Sequence, residues 1–160
     1  MKKNIKLAAL LTLFVVLFAG CEKKNEWRYF YNYSIDDIVG TYHYSNVSNA
    51  FEFLTESDAL SICEDAELTI VKESETMVRV HLKCPDEGYN QTFVGNPINA
   101  IDDFRIYLNK EELGREYEFD AIVYTNDKGD IRLHGYGRKG KSDPNIGHYW
   151  ENWYFDMIKD

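Results

Sequence analysis

Two stretches of strict alternation constrain this chain more than any other feature, because their partners can be matched residue by residue. Over residues 66–72 the apolar set is Ala66, Leu68 and Ile70, and over 77–84 it is Val78, Val80, Leu82 and Cys84. Successive side chains of a strand point to opposite faces, so each set occupies one side of the backbone. A hairpin turning at Ser74 and Glu75 puts Ile70 across from Val80 and Leu68 across from Leu82. A slip of one residue would turn both sets away from the core. The same register brings Cys84 opposite Ala66, with Cys63 just beyond that end.

A second hairpin follows the same logic. Tyr117, Phe119, Ala121 and Val123 alternate with Glu116, Glu118 and Asp120, and Ile131, Leu133, Gly135 and Gly137 answer them across Asn126-Asp127-Lys128-Gly129. A three-residue loop of Asp127, Lys128 and Gly129 keeps Val123 facing Leu133 and Phe119 facing Gly137, which predicts a left-handed Gly129 in a G1 bulge. Gly135 and Gly137 beside bulky Phe119 suit a strongly curved sheet. The turn lacks the alternating oxygen ligands and distal glutamate of a calcium loop, so no metal is expected there.

Further short strands are read at 91–96 and 103–109, the latter with Phe104, Ile106 and Leu108 on one face. Residues 148–158 are apolar on both faces, as expected of a last strand that closes a barrel against the first and is covered outside by the tyrosine-rich N-terminal segment. Residues 55–63 alone read as helix. Eight or so antiparallel strands joined in sequence predict an all-β fold, an up-and-down eight-stranded barrel with a short helix, or failing that a sandwich.

Ahead of these strands, Ser34 is placed to cap a helical turn with Asp37 in the capping-box position, and the turn runs into Gly40-Thr41-Tyr42. This entry resembles that of lipocalin-like domains, where a 3₁₀ turn leads into a Gly-x-Trp motif whose ring plugs one end of the barrel. The resemblance implies a calycin-type barrel, with Tyr42 in place of the tryptophan.

The N-terminus carries an address. Lys2, Lys3 and Lys6 precede an apolar run over residues 7–19, too short for the roughly 20 residues a membrane-spanning helix needs, and small Ala19 and Gly20 follow. Leu17-Phe18-Ala19-Gly20-Cys21 resembles the lipobox of bacterial lipoproteins. That resemblance implies a signal peptide over 1–20, cleavage before Cys21, and a diacylglycerol on its sulfur, usually with a third chain on the new amino group. Each buried methylene adds about 0.8 kcal/mol, so two or three chains anchor essentially permanently. The expected organisation is a tether over 21–33 and one domain over 34–160, anchored to a bacterial membrane. The outer membrane is the expected location, on its periplasmic or cell-surface face.

Loss of the three signal lysines takes the formal charge from −9 to −12. Such a surface repels nucleic acid and anionic head groups, so no nucleic-acid partner is expected. Cys63 and Cys84 remain once Cys21 carries lipid. An exported compartment permits them to form a disulfide, and the register brings them close; two buried thiols are the alternative. Trp27, Tyr29, Phe30, Tyr31 and Tyr33 could cap the domain, touch the membrane interface or bind a partner, packing back onto the domain being the favoured reading.

Chemistry is not announced. His43, His81, His134 and His148 fall on separate strands without metal-ligand spacing and read as surface or rim residues. There is no Gly-x-Ser-x-Gly elbow and no phosphate loop, and neighbouring acids on a strand point to opposite faces. No catalytic residue, metal or cofactor is expected, and the chain is read as a non-enzyme. Binding is left. An eight-stranded barrel is just wide enough to be filled by side chains or to hold one small apolar ligand. Tyr44, Phe104, Tyr117, Phe119 and Trp153 are the candidate wall residues for a small hydrophobic ligand. The alternative is a filled barrel that docks another envelope protein.

Overall fold

A computed structural model of the chain describes residues 26–44, 60–63, 65–99, 102–144 and 147–160, which carry ten strands, one short α-helix and a 3₁₀ turn at Pro97–Asn99. The strands are β1 (Arg28–Tyr29), β2 (Gly40–Tyr44), β3 (Leu60–Ile62), β4 (Glu67–Lys72), β5 (Val78–Cys84), β6 (Tyr89–Gly95), β7 (Arg105–Glu112), β8 (Arg115–Thr125), β9 (Ile131–Asp143) and β10 (Gly147–Lys159). Helix α1 (Ile35–Ile38) precedes β2. Among the described residues nine strands join antiparallel in one sheet, and β3 alone runs parallel to its neighbour. The signal segment, Cys21 and residues 55–59 lie outside the described residues.

Both hairpins adopt the expected registers. Ile70 pairs with Val80 and Leu68 with Leu82, while Val123 pairs with Leu133 and Phe119 with Gly137. Gly129 has φ +84°, a conformation an L side chain seldom adopts, and its N–H donates to Asn126 O at 3.1 Å. Asn126 holds the loop from within. Its Oδ1 accepts from Lys128 N and Asp130 N, and its Nδ2 donates to Asp130 Oδ2. Cys63 and Cys84 form a disulfide, their Cα atoms 5.7 Å apart.

The entry is built as the capping logic requires. Asp37 Oδ2 accepts from Ser34 N and Ser34 Oγ, each at 2.7 Å, which fixes the first turn of α1. Tyr42 is buried and its hydroxyl donates to Ile38 O at 2.6 Å, tying β2 back to the end of α1. The last strand pairs with the first long one, Met157 to Tyr44 and Lys159 to Tyr42.

Three expectations need correction. The sheet does not close into a barrel. Its order is β7-β8-β9-β10-β2-β4-β5-β6, with no ladder between β6 and β7 among the described residues. Tyr33 explains one end of that seam: its hydroxyl donates to Pro97 O at 3.1 Å and Arg105 O at 2.9 Å, taking carbonyls that flank the gap. Lys110 of β7 bridges the gap farther along, its Nζ 5.5 Å from the Phe93 ring of β6 and 5.3 Å from the Tyr117 ring.

Residues 60–62, read as the end of a helix, form β3 instead. β2 covers one edge of β10 only at residues 157–159, so the edge at 152–154 would be left bare. β3 pairs there, with Trp153 opposite Ser61, and Cys63 N donates to Tyr154 O at 3.0 Å. The aromatic N-terminal segment joins the sheet edge instead of lying over β10 as a layer, with Trp27 over Arg132, the partner of Asp156 on β10. It takes over the edge of β8 where β7 leaves it, Arg28 pairing with Thr125 and Tyr29 with Tyr124.

Candidate functional site

The sequence-predicted wall residues separate into three environments. Tyr117, Phe119 and Trp153 lie in the core, where Phe119 sits 5.5 Å from Phe155 and 6.0 Å from Phe93, all three rings without exposure. Trp153 stacks on Tyr89 at 4.2 Å. Tyr44 is half-buried at the end of β2. Phe104 does not line the interior at all. It precedes β7, and its ring stacks on Tyr29 at 4.6 Å and meets Tyr31 edge-on at 5.2 Å, because the N-terminal segment runs alongside it. The structure therefore does not gather the five residues around one space.

The interior they were expected to line is occupied by protein. Gly137 shows how tightly: a Cβ there would meet Tyr89 Oη at 2.7 Å and Leu82 Cδ2 at 2.8 Å. At Gly135 a Cβ would meet the Asp120 carbonyl oxygen, so β8 and β9 approach as closely as their backbones allow. The two glycines give the curvature that wraps this sheet around Phe119.

The outer face of β7–β10 is where polar chemistry collects. The ladders place Asn109, Glu118, Arg138 and Asn152 in one row, and Tyr107, Asp120, Tyr136 and Tyr154 in the next. A third row holds Arg105, Ile122, His134 and Asp156, and a fourth Tyr124, Arg132 and Ile158. Ion pairs and hydrogen bonds link these side chains within rows and between them. Arg105 grips Asp120 through Nε and Nη2, both at 2.5 Å, and Tyr136 donates to Asp120 Oδ2 at 3.0 Å. Arg138 Nε donates to Glu118 at 2.6 Å, and Arg132 holds both oxygens of Asp156.

These carboxylates face outward yet are shielded from water. Asp120 is 4% exposed and Asp156 fully buried. Aromatic rings provide the shield: Arg138 lies 4.2 Å from the Trp150 ring and 5.4 Å from Tyr136, while Arg132 lies between Trp27 and Tyr124 at 5.8 and 5.7 Å. Tyr136 meets Tyr154 edge-on at 5.7 Å. Burial pushes the Tyr136 hydroxyl up to about 12, with Asp120 adding to it. His134 lies half-buried on this outer face. Burial lowers its pKa below the ordinary value against the pull of Asp156, 3.9 Å from Nδ1.

The face thus carries three arginines balanced by three acids within an acidic chain, framed by tyrosine and tryptophan. Charge-neutral, arginine-rich aromatic patches are what protein interfaces use at their centres. Sequence reasoning followed only the inward positions and missed this face. The signal was present, since the register that pairs Phe119 with Gly137 also sets Glu118 against Arg138 and Asp120 against Tyr136.

Among the described residues no group of three or more histidine, cysteine, aspartate or glutamate side chains is placed to hold a metal ion, and no helix is long and apolar enough to cross a membrane. No family model, no curated protein and no solved structure matches this chain.

Proposed function

We propose that the chain is a bacterial envelope lipoprotein, anchored through acylated Cys21, whose lipocalin-like domain is solid and acts by docking another envelope protein on the outer face of β7–β10. The observation that carries this reading is the division of its side chains. The described core is filled by Phe93, Phe119 and Phe155, while arginine, tyrosine and tryptophan are organised outside around shielded carboxylates. Arginine and tryptophan held in place beforehand lose little freedom on binding, which favours a surface contact.

The lipocalin-like assignment draws support from Gly40-Thr41-Tyr42 beneath α1 and from the pairing of β10 with β2. A ligand-carrying barrel draws less, because Tyr117, Phe119 and Trp153 pack against other side chains. Photo-crosslinking in intact cells from a benzophenone amino acid at position 150 tests the docking. The expected result is a discrete protein adduct that disappears in Arg138→Ala; no adduct, or one indifferent to Arg138, speaks against it.

A further inference from the structure

Only part of the N-terminal aromatic cluster fills the domain. Phe30 packs against the core and Tyr33 is buried, but Tyr29 and Tyr31 alternate outward and are 44% and 55% exposed. Tyr29 lies stacked between Phe104 at 4.6 Å and Tyr124 at 5.2 Å, with Tyr31 edge-on at 6.1 Å. Beside them is a hollow of about 710 Å³ lined by Trp27, Tyr29, Phe30, Tyr31 and Tyr124. Ordered, half-exposed rings with hydroxyls at their tips match the boundary between hydrocarbon and water, where tyrosine and tryptophan concentrate.

The chain itself says what this cluster faces. Trp27 lies six residue steps beyond Cys21, and at no more than about 3.6 Å each these span at most ~22 Å. A domain of this size is roughly 36 Å across, from the usual scaling of radius of gyration with length. The tether is shorter than the domain is wide, so the side bearing Trp27 is the side held toward the lipid. Lys23 and Lys24 offset Glu22 and Glu26 along that approach, and Arg28 pairs with Asp127, so the tether carries little net charge toward the bilayer. Attachment at Cys21 also raises the local concentration of the cluster at the bilayer, so each ring needs only a weak preference for it.

We propose that Tyr29, Tyr31, Phe104 and Tyr124 form a membrane seat that rests in the bilayer interface and fixes the domain's orientation. This rests on the reading of Cys21 as acylated. Tyr124 and Glu118 lie on one face of β8, six residue steps apart, about 20 Å at strand rise. The seat therefore holds Tyr124 at the lipid and directs the Glu118, Arg138 and Trp150 end of the docking face away from it.

The test uses full-length, acylated protein in phosphatidylcholine vesicles, with Trp150→Phe so that Trp27 is the reporter tryptophan on the surface and Trp153 stays in the core. Brominated acyl chains are expected to quench Trp27 emission, and vesicles to protect it from aqueous iodide. Tyr29→Ser with Tyr31→Ser should abolish both effects while the protein still sediments with vesicles. Val71→Ser with Val94→Ser, replacing exposed apolar residues elsewhere, should leave both unchanged. Sedimenting protein whose Trp27 is untouched by brominated lipid and open to iodide overturns the seat alone, as does equal loss in the Val71 and Val94 variant. An exported protein whose intact mass lacks acyl chains overturns the anchor, and the seat with it.

Discussion

Asp156 points away from the core, yet its carboxylate is fully buried, held by Nε and Nη2 of Arg132. Removing one member of such a pair leaves the other charge shielded and uncompensated. Asp156→Ala is expected to cost about 3–5 kcal/mol in chemical denaturation, and Arg132→Met with Asp156→Leu to recover much of it. Equal losses in the single and double variants would show that the pair is not coupled.

His134 makes stability depend on pH. Its folded pKa is depressed by burial, so between that value and the ordinary one near 6.5 the unfolded chain binds more protons than the folded one. This contribution is present above the unfolded pKa and is lost as pH falls through the folded pKa. His134→Gln should flatten that part of the curve in thermal unfolding from pH 7.5 to pH 5, and an unchanged difference between the two proteins would remove His134 as its source.

Gly137 and Tyr89 were fitted to each other. Gly137→Ala directs a methyl group at the Tyr89 hydroxyl and at Leu82, an overpacking expected to cost about 1–3 kcal/mol. Among the described residues the buried Tyr89 hydroxyl has no hydrogen-bond partner, so Tyr89→Phe should be neutral or stabilising and should relieve part of the Gly137→Ala penalty. Additive effects of the two changes would contradict that fit.

The Cys63–Cys84 bond closes a loop with a sequence separation of 21 and ties β3 to the end of β5. Loop closure of that size corresponds to about 3 kcal/mol, so Cys63→Ser with Cys84→Ser should lower the denaturation midpoint accordingly. A variant as stable as the parent would mean that the β3 pairing alone holds this segment.

The inward half of the fold was legible because apolar alternation and turn chemistry both act locally. Ile70 opposite Val80, Phe119 opposite Gly137 and left-handed Gly129 follow from spacing alone. What escaped depends on partners distant in sequence. Residues 60–62 become a strand because β10 has an edge to cover, and the seam between β6 and β7 reflects Tyr33 reaching two carbonyls far along the chain. Phe104 shares strand parity with Ile106 and Leu108 but lies before β7, where Tyr29 and Tyr31 draw it outward. The outer face was readable in principle, since its ion pairs follow the same registers, but charges at alternate positions look like an ordinary solvated side until their burial is known.

Whether the domain works through its surface or its interior is decided most directly by titrating the lipid-stripped protein with a fluorescent fatty acid. Because Phe93, Phe119 and Phe155 occupy the core, the expected result is no saturable rise in emission at any ratio of probe to protein. A saturable rise with one site per chain, abolished by Phe119→Trp, would contradict the account.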